Sequence, residues 1–381
     1  MTEQSGIQPD TGFDPGRRKF GASALAGVFG AGELLSKAAS SGAAKKKKTT
    51  WPTKPGMKLA QSHMTSKSID DEQLTYLKQL GIEYLESWVA EEHVTYNDII
   101  ELRQKVEEAG LSLYSTGYSR RYNSSVIQLG LPGRDEQIRD YQQFLRDLGK
   151  AGIHNTIYAW NPSGIYSTGT TETRGCKTRE FNLEEARKKP RAFDRDYSQE
   201  ELWGNYSYFI ERVLPVAEDA GVRLALHPTD PPVASRGIDR IMCSTEDYKR
   251  AMEISGYSNY SGIQFCVGTW GEMAGPEGKG EDVIGAIRHF GKSGHIVGVH
   301  FRNVSSPVPQ FHETFVDNGY LDMYEVMKAL WEVGFNGSIV PDHAPVFKDE
   351  KKLGPIGVSG TSYTIGYMRG ILQALNSEKS Y

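Results

Sequence analysis

Four short apolar runs in this chain of 381 residues each lead into a residue that binds divalent metal ions. Leu224-Ala225-Leu226 leads into His227, and Ile263-Gln264-Phe265 into Cys266. Val297-Gly298-Val299 leads into His300, and Ile339-Val340-Pro341 into Asp342. Two imidazoles, a thiolate and a carboxylate make a complete protein shell for one such ion. Ligand softness admits Zn2+, Fe2+ or Co2+, and a carboxylate with open positions also admits Mn2+. Taken singly, a buried His is more often a core residue and Cys266 more often a small hydrophobe. The joint pattern is what points to metal.

Further chemistry follows these positions. His343 comes directly after Asp342 and is a candidate for proton transfer. Arg302 and Asn303 follow His300, and arginine suits a two-pronged grip on a carboxylate. His312 and Glu313 stand in the same downstream loop and are candidates for substrate contact or for solvated loop positions. Glu86 ends an earlier apolar run and is a further candidate acid or base, whereas His63 fits a core role equally well.

These residues need a scaffold that brings distant strand ends together. One phrase recurs: an amphipathic helix, a glycine, then a short apolar run. It appears at Leu80-Gly81-Ile82, Ala109-Gly110-Leu111, Ala151-Gly152-Ile153, Ala220-Gly221-Val222 and Val333-Gly334-Phe335. Glycine after a helix adopts the left-handed conformation at little cost and closes the last turn. Helix stop followed by strand, repeated, means βα alternation on a parallel sheet. Strands are expected near 58–62, 82–86, 111–116, 154–160, 222–227, 261–267, 295–301 and 338–342. Helices are expected near 70–80, 95–109, 134–151, 198–220, 244–255, 281–292, 321–334 and 361–375. Eight alternations give a (β/α)8 TIM barrel, in which the C-terminal strand ends surround one mouth. An open doubly wound sheet would carry a Gly-rich phosphate turn after its first strand, and none stands there. The stretch 161–197 is far longer than an ordinary connection, and it leaves strand 4 at the mouth. It is expected either to lie over the mouth as a lid or to be a surface insertion.

The chain is 38% hydrophobic with a net charge of -4, which suits one large core and gives nucleic acid no basic surface. Three cysteines make no disulfide framework. Residues 1–55 differ from the rest. Arg17-Arg18-Lys19-Phe20 precedes a run of small and apolar residues, and Lys45 to Lys48 form a linker. This reads as a twin-arginine export signal. It would send the chain to the periplasm, with no stable membrane anchor. A chain whose signal goes unused stays cytoplasmic. Residues 56–381 then form the barrel domain.

Several segments, in order, resemble the mannonate dehydratase family. They are Leu129-Gly130-Leu131-Pro132-Gly133-Arg134-Asp135 with Tyr141-Gln142-Gln143, then Leu226-His227-Pro228-Thr229-Asp230-Pro231-Pro232 and Arg288-His289-Phe290-Gly291. Val299-His300-Phe301-Arg302-Asn303-Val304, Phe311-His312-Glu313, Leu321-Asp322-Met323 and Pro341-Asp342-His343 complete the set. The resemblance implies a xylose-isomerase-like TIM barrel and a hydro-lyase that converts D-mannonate to 2-keto-3-deoxygluconate with Mn2+. It implies metal ligands at His227, Cys266, His300 and Asp342, and a catalytic histidine at His343. The family continues after Asp-His with Gly, Arg and Trp and later has a functional Tyr. This chain has Ala344-Pro345-Val346-Phe347-Lys348, and Tyr363 is the available substitute. The expected catalytic pair is therefore His343 with Tyr363 or a lid residue. Arg302, Asn303, His312 and Glu313 are expected around a small sugar acid. A metal-dependent sugar epimerase, isomerase or keto-glycoside eliminase is the alternative enzyme, and a non-catalytic metal-bearing sugar-binding protein is the alternative outside catalysis. A homo-oligomer is compatible with each.

Overall fold

The computed structural model describes residues 56–348, 350–353 and 356–378. The expected export signal and linker lie outside the described residues, as does the side chain of His63. Eight strands form one parallel sheet: β1 (Lys58–Thr65), β2 (Tyr84–Val89), β3 (Ser112–Tyr118), β4 (Asn155–Ala159), β5 (Arg223–His227), β6 (Ser261–Cys266), β7 (Ile296–His300) and β8 (Ser338–Val340). Their order is β3-β2-β1-β8-β7-β6-β5-β4. The two end strands meet through side chains. Thr156 Oγ1 donates to the Thr116 carbonyl at 2.8 Å and Asn155 Nδ2 to the Tyr114 carbonyl at 3.2 Å. The fold is thus the expected TIM barrel, with β3 and β4 forming its seam.

The helices alternate with the strands because their ends and faces are written locally. Asp70 caps Asp71–Gln79, and Thr95 with Asp98 forms a capping box on Tyr96–Glu108. Ser198 with Glu201 does the same for Gln199–Ala220. Each cap satisfies amides that a helix start leaves open. Ile138, Tyr141, Phe144, Leu145 and Leu148 recur at helical spacing in Arg134–Lys150, and all are buried. Burying such a side chain contributes about 1.5–3 kcal/mol. The β5–β8 strands are buried along almost their whole length, as a sheet covered on both faces must be.

Two of the boundaries that differ from expectation do so for visible reasons. β2 begins at Tyr84 because the Ile82 amide still donates to Leu77 at the helix end, with Gly81 at φ 70. β8 stops at Val340 because Pro341 has no amide to give the ladder, and Asp342 turns to φ 57. The long stretch after β4 is also more regular than a loop. It holds the hairpin Gly169–Thr173 and Cys176–Asn182. The second of these strands pairs antiparallel with Gln310–Thr314, which pairs with Asn303–Val304. This small sheet has its own apolar centre, where Phe181 stacks on Phe311 with 5.5 Å between rings. Among the described residues no helix is long and apolar enough to cross a membrane.

Candidate metal centre and the cavity beside it

The register of the barrel brings the four candidate ligands together. Cys266 lies level with His300, and Val340 also pairs with His300. Ligand atoms of His227, Cys266 and His300 all lie within 4.8 Å of one another. Asp342 completes the group: its Oδ2 lies 3.6 Å from Cys266 Sγ and its Oδ1 lies 3.7 Å from His300 Nδ1. All four are buried.

Each ligand is oriented by its surroundings. His227 Nδ1 donates to the Pro228 carbonyl at 2.8 Å, which leaves Nε2 with its lone pair. Cys266 caps the short helix Val267–Glu272, and its sulfur accepts from the Thr269 hydroxyl at 3.1 Å and the Thr269 amide at 3.4 Å. Burial opposes the thiolate, but the Arg302 charge, aided by His227 and His300, pulls the thiol down to about 5. Cys266 is therefore a thiolate at neutral pH, the form that binds metal. Asp342 occupies the left-handed region at φ 57, a strained conformation for a residue with a side chain. Arg302 Nε holds its Oδ2 at 2.9 Å. Glu86 stands behind His300, with Oε2 3.9 Å from Nε2, and its other oxygen accepts from the Ser338 hydroxyl. Burial would lower His300, but Asp342, Cys266 and Glu86 raise it well above its usual range. Surroundings that favour a positive charge at this point, with soft and hard donors together, fit a divalent cation.

Behind the ligands lies a buried ionic cluster. Arg302 is only 1% exposed. Its Nη1 bonds Glu272 at 2.7 Å, and its Nη2 bonds Asp230 at 2.8 Å and Thr269 at 2.9 Å. Arg179, delivered by the hairpin, bonds Asp230 at 2.9 Å, Glu272 at 2.8 Å and Glu313 at 3.0 Å. Burial would raise Asp230, but the two guanidinium groups hold it well below the carboxylate range. Burial and the neighbouring Asp230 push Glu272 well above that range. Glu313 also accepts from His343 Nδ1 at 2.7 Å.

A cavity of about 410 Å3 opens beside the ligands. His227, Asp230, His300, Asp342 and His343 line it together with Trp88, Tyr122, Asn123, Asn161 and Tyr166. Not every expected substrate contact is among these. Arg302 is taken up by this chain's own carboxylates. Asn303 shapes the following loop, donating to the Val316 and Leu321 carbonyls at 3.1 and 2.9 Å. His312 and Glu313 alternate on one strand, and it is Glu313 that turns inward to Arg179 and His343. Tyr363 sits at the hairpin tip, where Arg174 Nη1 donates to it at 3.5 Å and its ring packs on Phe315. Tyr166 instead meets His343, with its hydroxyl 2.8 Å from Nδ1. Sequence reasoning missed Tyr166, Arg179 and Glu272. Asp230 stood in the quoted Leu226–Pro232 segment without a role.

Comparison with known proteins agrees with this geometry. Residues 173–381 match the family model described as D-mannonate dehydratase (UxuA). The chain is 31% identical over 324 residues to mannonate dehydratase of Thermotoga maritima, covering 74% of this chain and 87% of that one. The crystal structure of mannonate dehydratase from Streptococcus suis serotype2 superposes with a TM-score of 0.76 at 27% identity, over 85% of this chain and 96% of the other. A xylose isomerase-like TIM barrel protein from Mycobacterium smegmatis shares the fold, with a TM-score of 0.52 at 13% identity, over 80% and 88% of the two chains. With its barrel and these matches in agreement, the chain belongs to the mannonate dehydratase family of hydro-lyases.

Proposed function

We propose that this chain dehydrates D-mannonate, or a closely related sugar acid, to 2-keto-3-deoxygluconate and water. The observation that carries the reading is His343, which faces the cavity directly beside the four-ligand group, with Nδ1 2.7 Å from Glu313. The names of the Thermotoga and Streptococcus relatives support the substrate. A cavity of about 410 Å3 suits a six-carbon acid.

His227, Cys266, His300 and Asp342 would hold the divalent ion, Mn2+ in this reading, with Fe2+, Co2+ or Zn2+ as substitutes. When bound, it supplies a Lewis acid for the carboxylate end of the substrate. His343 takes the proton from C2, the carbon next to that carboxylate. Glu313 fixes the imidazole and favours its charged form. Burial lowers His343, yet Asp342 and Glu313 raise it to about 9, so the neutral imidazole that accepts the C2 proton is the minor form at neutral pH. Arg302 positions Asp342 and Asp230 from behind and reaches the substrate only through them.

Incubating the protein and Mn2+ with D-mannonate and other aldonates, followed by 2-keto acid detection, tests the reading. Formation of the keto acid from D-mannonate is expected. Full activity and metal content in His343→Gln would remove its assigned role. The Arg17-Arg18 signal supports export, so fractionation of cells expressing the full chain should place the activity in the periplasm.

A further inference from the structure

We propose that Tyr166 is a catalytic residue that gives a proton to the departing hydroxyl, a role that rests on the dehydratase reading. Removing water from a sugar acid needs two proton transfers on neighbouring carbons. His343 serves C2. The C3 oxygen leaves poorly as hydroxide and well as water.

The cavity walls offer few groups for that second transfer. Both carboxylate oxygens of Asp230 are bonded to arginines, Oδ1 to Arg179 and Oδ2 to Arg302. Tyr122 also lines the cavity, close enough to feel the Asp230, Cys266 and Asp342 charges, and packs edge-on against Trp88 with rings 4.7 Å apart, so it is the rival donor to be tested. Tyr363 lies with Arg174 and Phe315. Tyr166 lines the cavity itself, with its hydroxyl 2.8 Å from His343 Nδ1 and 3.4 Å from Nε2. Its ring stands edge-on to the imidazole at 85°, with centroids 5.8 Å apart.

Its position is enforced. The Arg179 guanidinium lies 3.9 Å from the ring centroid, and Nη1 donates to the Tyr166 carbonyl at 2.7 Å. Arg179 is itself anchored by three buried carboxylates. The phenol is raised above its ordinary range, so it holds its proton at neutral pH. The group therefore arrives as a donor.

The step balances. His343 removes the C2 proton, and the C2–H electron pair becomes the second bond between C2 and C3. The C3–O bond breaks with its electron pair, and that oxygen takes the Tyr166 proton and leaves as water. The resulting enol moves a proton from O2 to C3 and becomes the 2-keto acid. Solvent reprotonates Tyr166, a residue that is 45% exposed.

The test compares two leaving groups. Full-length Mn2+-loaded wild type, Tyr166→Phe and Tyr122→Phe are assayed with D-mannonate and with 3-deoxy-3-fluoro-D-mannonate, since fluoride departs without a proton. Metal content and thermal unfolding are recorded for each. For Tyr166→Phe, water elimination is expected to fall at least about 100-fold, while fluoride release stays within about five-fold of wild type. Tyr122→Phe should show no such split. Equal losses on both substrates, or no loss on either, overturn the proposal. A wild type that turns over no sugar acid overturns the dehydratase reading and this role with it, and that failure is seen before any variant is compared.

Discussion

His343 Nδ1 lies 2.7 Å from Glu313 Oε1, and the two residues come from different parts of the fold. His343 follows the last barrel strand, whereas Glu313 belongs to the small antiparallel sheet built on the hairpin. Glu313 is also bonded to Arg179 on the hairpin strand that pairs with its own. His343, the proposed proton-transfer side chain, is thus tied to the sheet that carries Arg179, and Arg179 seats Tyr166.

Glu313→Gln keeps the shape of the site and removes the charge that favours the imidazolium. Turnover of D-mannonate is expected to fall about 100-fold with metal content retained. Steady-state kinetics with metal analysis check this.

The same carboxylate gives a pH dependence of stability. Burial would raise Glu313, but His343 and Arg179 hold it down at about 2, against an ordinary 4.5. A depressed folded value stabilises the fold above the unfolded value, and that contribution is lost as pH falls through the folded one. It amounts to roughly 3 kcal/mol between those limits. Urea unfolding should therefore show wild type losing stability from about pH 4.5 towards 2, more steeply than Glu313→Gln.

Arg302→Lys replaces a planar fork by a point charge at a site where three carboxylates are bonded at once. Lysine leaves at least one of Asp230, Glu272 and Asp342 buried and unpaired. A loss of about 3–5 kcal/mol is expected. The midpoint of urea unfolding measures it, and a barrel as stable as wild type would contradict the role given to Arg302.

Cys266→Ser removes the thiolate that the Arg302 charge maintains. Mn2+ affinity is expected to fall at least about ten-fold, with a larger loss for the softer Zn2+. Equilibrium dialysis at neutral pH distinguishes the two ions.

Gly117→Ala would act on the far wall of the cavity. A Cβ at Gly117 would lie 2.2 Å from the Trp88 ring, so the indole must shift. Overpacking of this kind costs about 1–3 kcal/mol. A raised KM for D-mannonate with little change in metal content is expected, because Trp88 lines the cavity and the ligands lie on other strands.

Much of this protein could be read from local pattern, and the boundary between that and the rest is physical. Helix caps, glycine stops and buried apolar runs act over a few residues, so the eight βα units were visible in the chain, as were the strand-end candidates, of which His227, Cys266 and His300 fold into one group. A parallel barrel has one topology, and it carries His227, Cys266, His300 and Asp342 to one mouth. The hairpin strands Gly169–Thr173 and Cys176–Asn182 gave no such signal. They read as polar insertion, and their partner Gln310–Thr314 lies far along the chain. Only the folded molecule could show that Arg302 is consumed by Asp230 and Glu272, or that Tyr166 rather than Tyr363 reaches His343. Ionic partners and cavity walls are chosen by distance in space between separate elements, and no local periodicity records that distance.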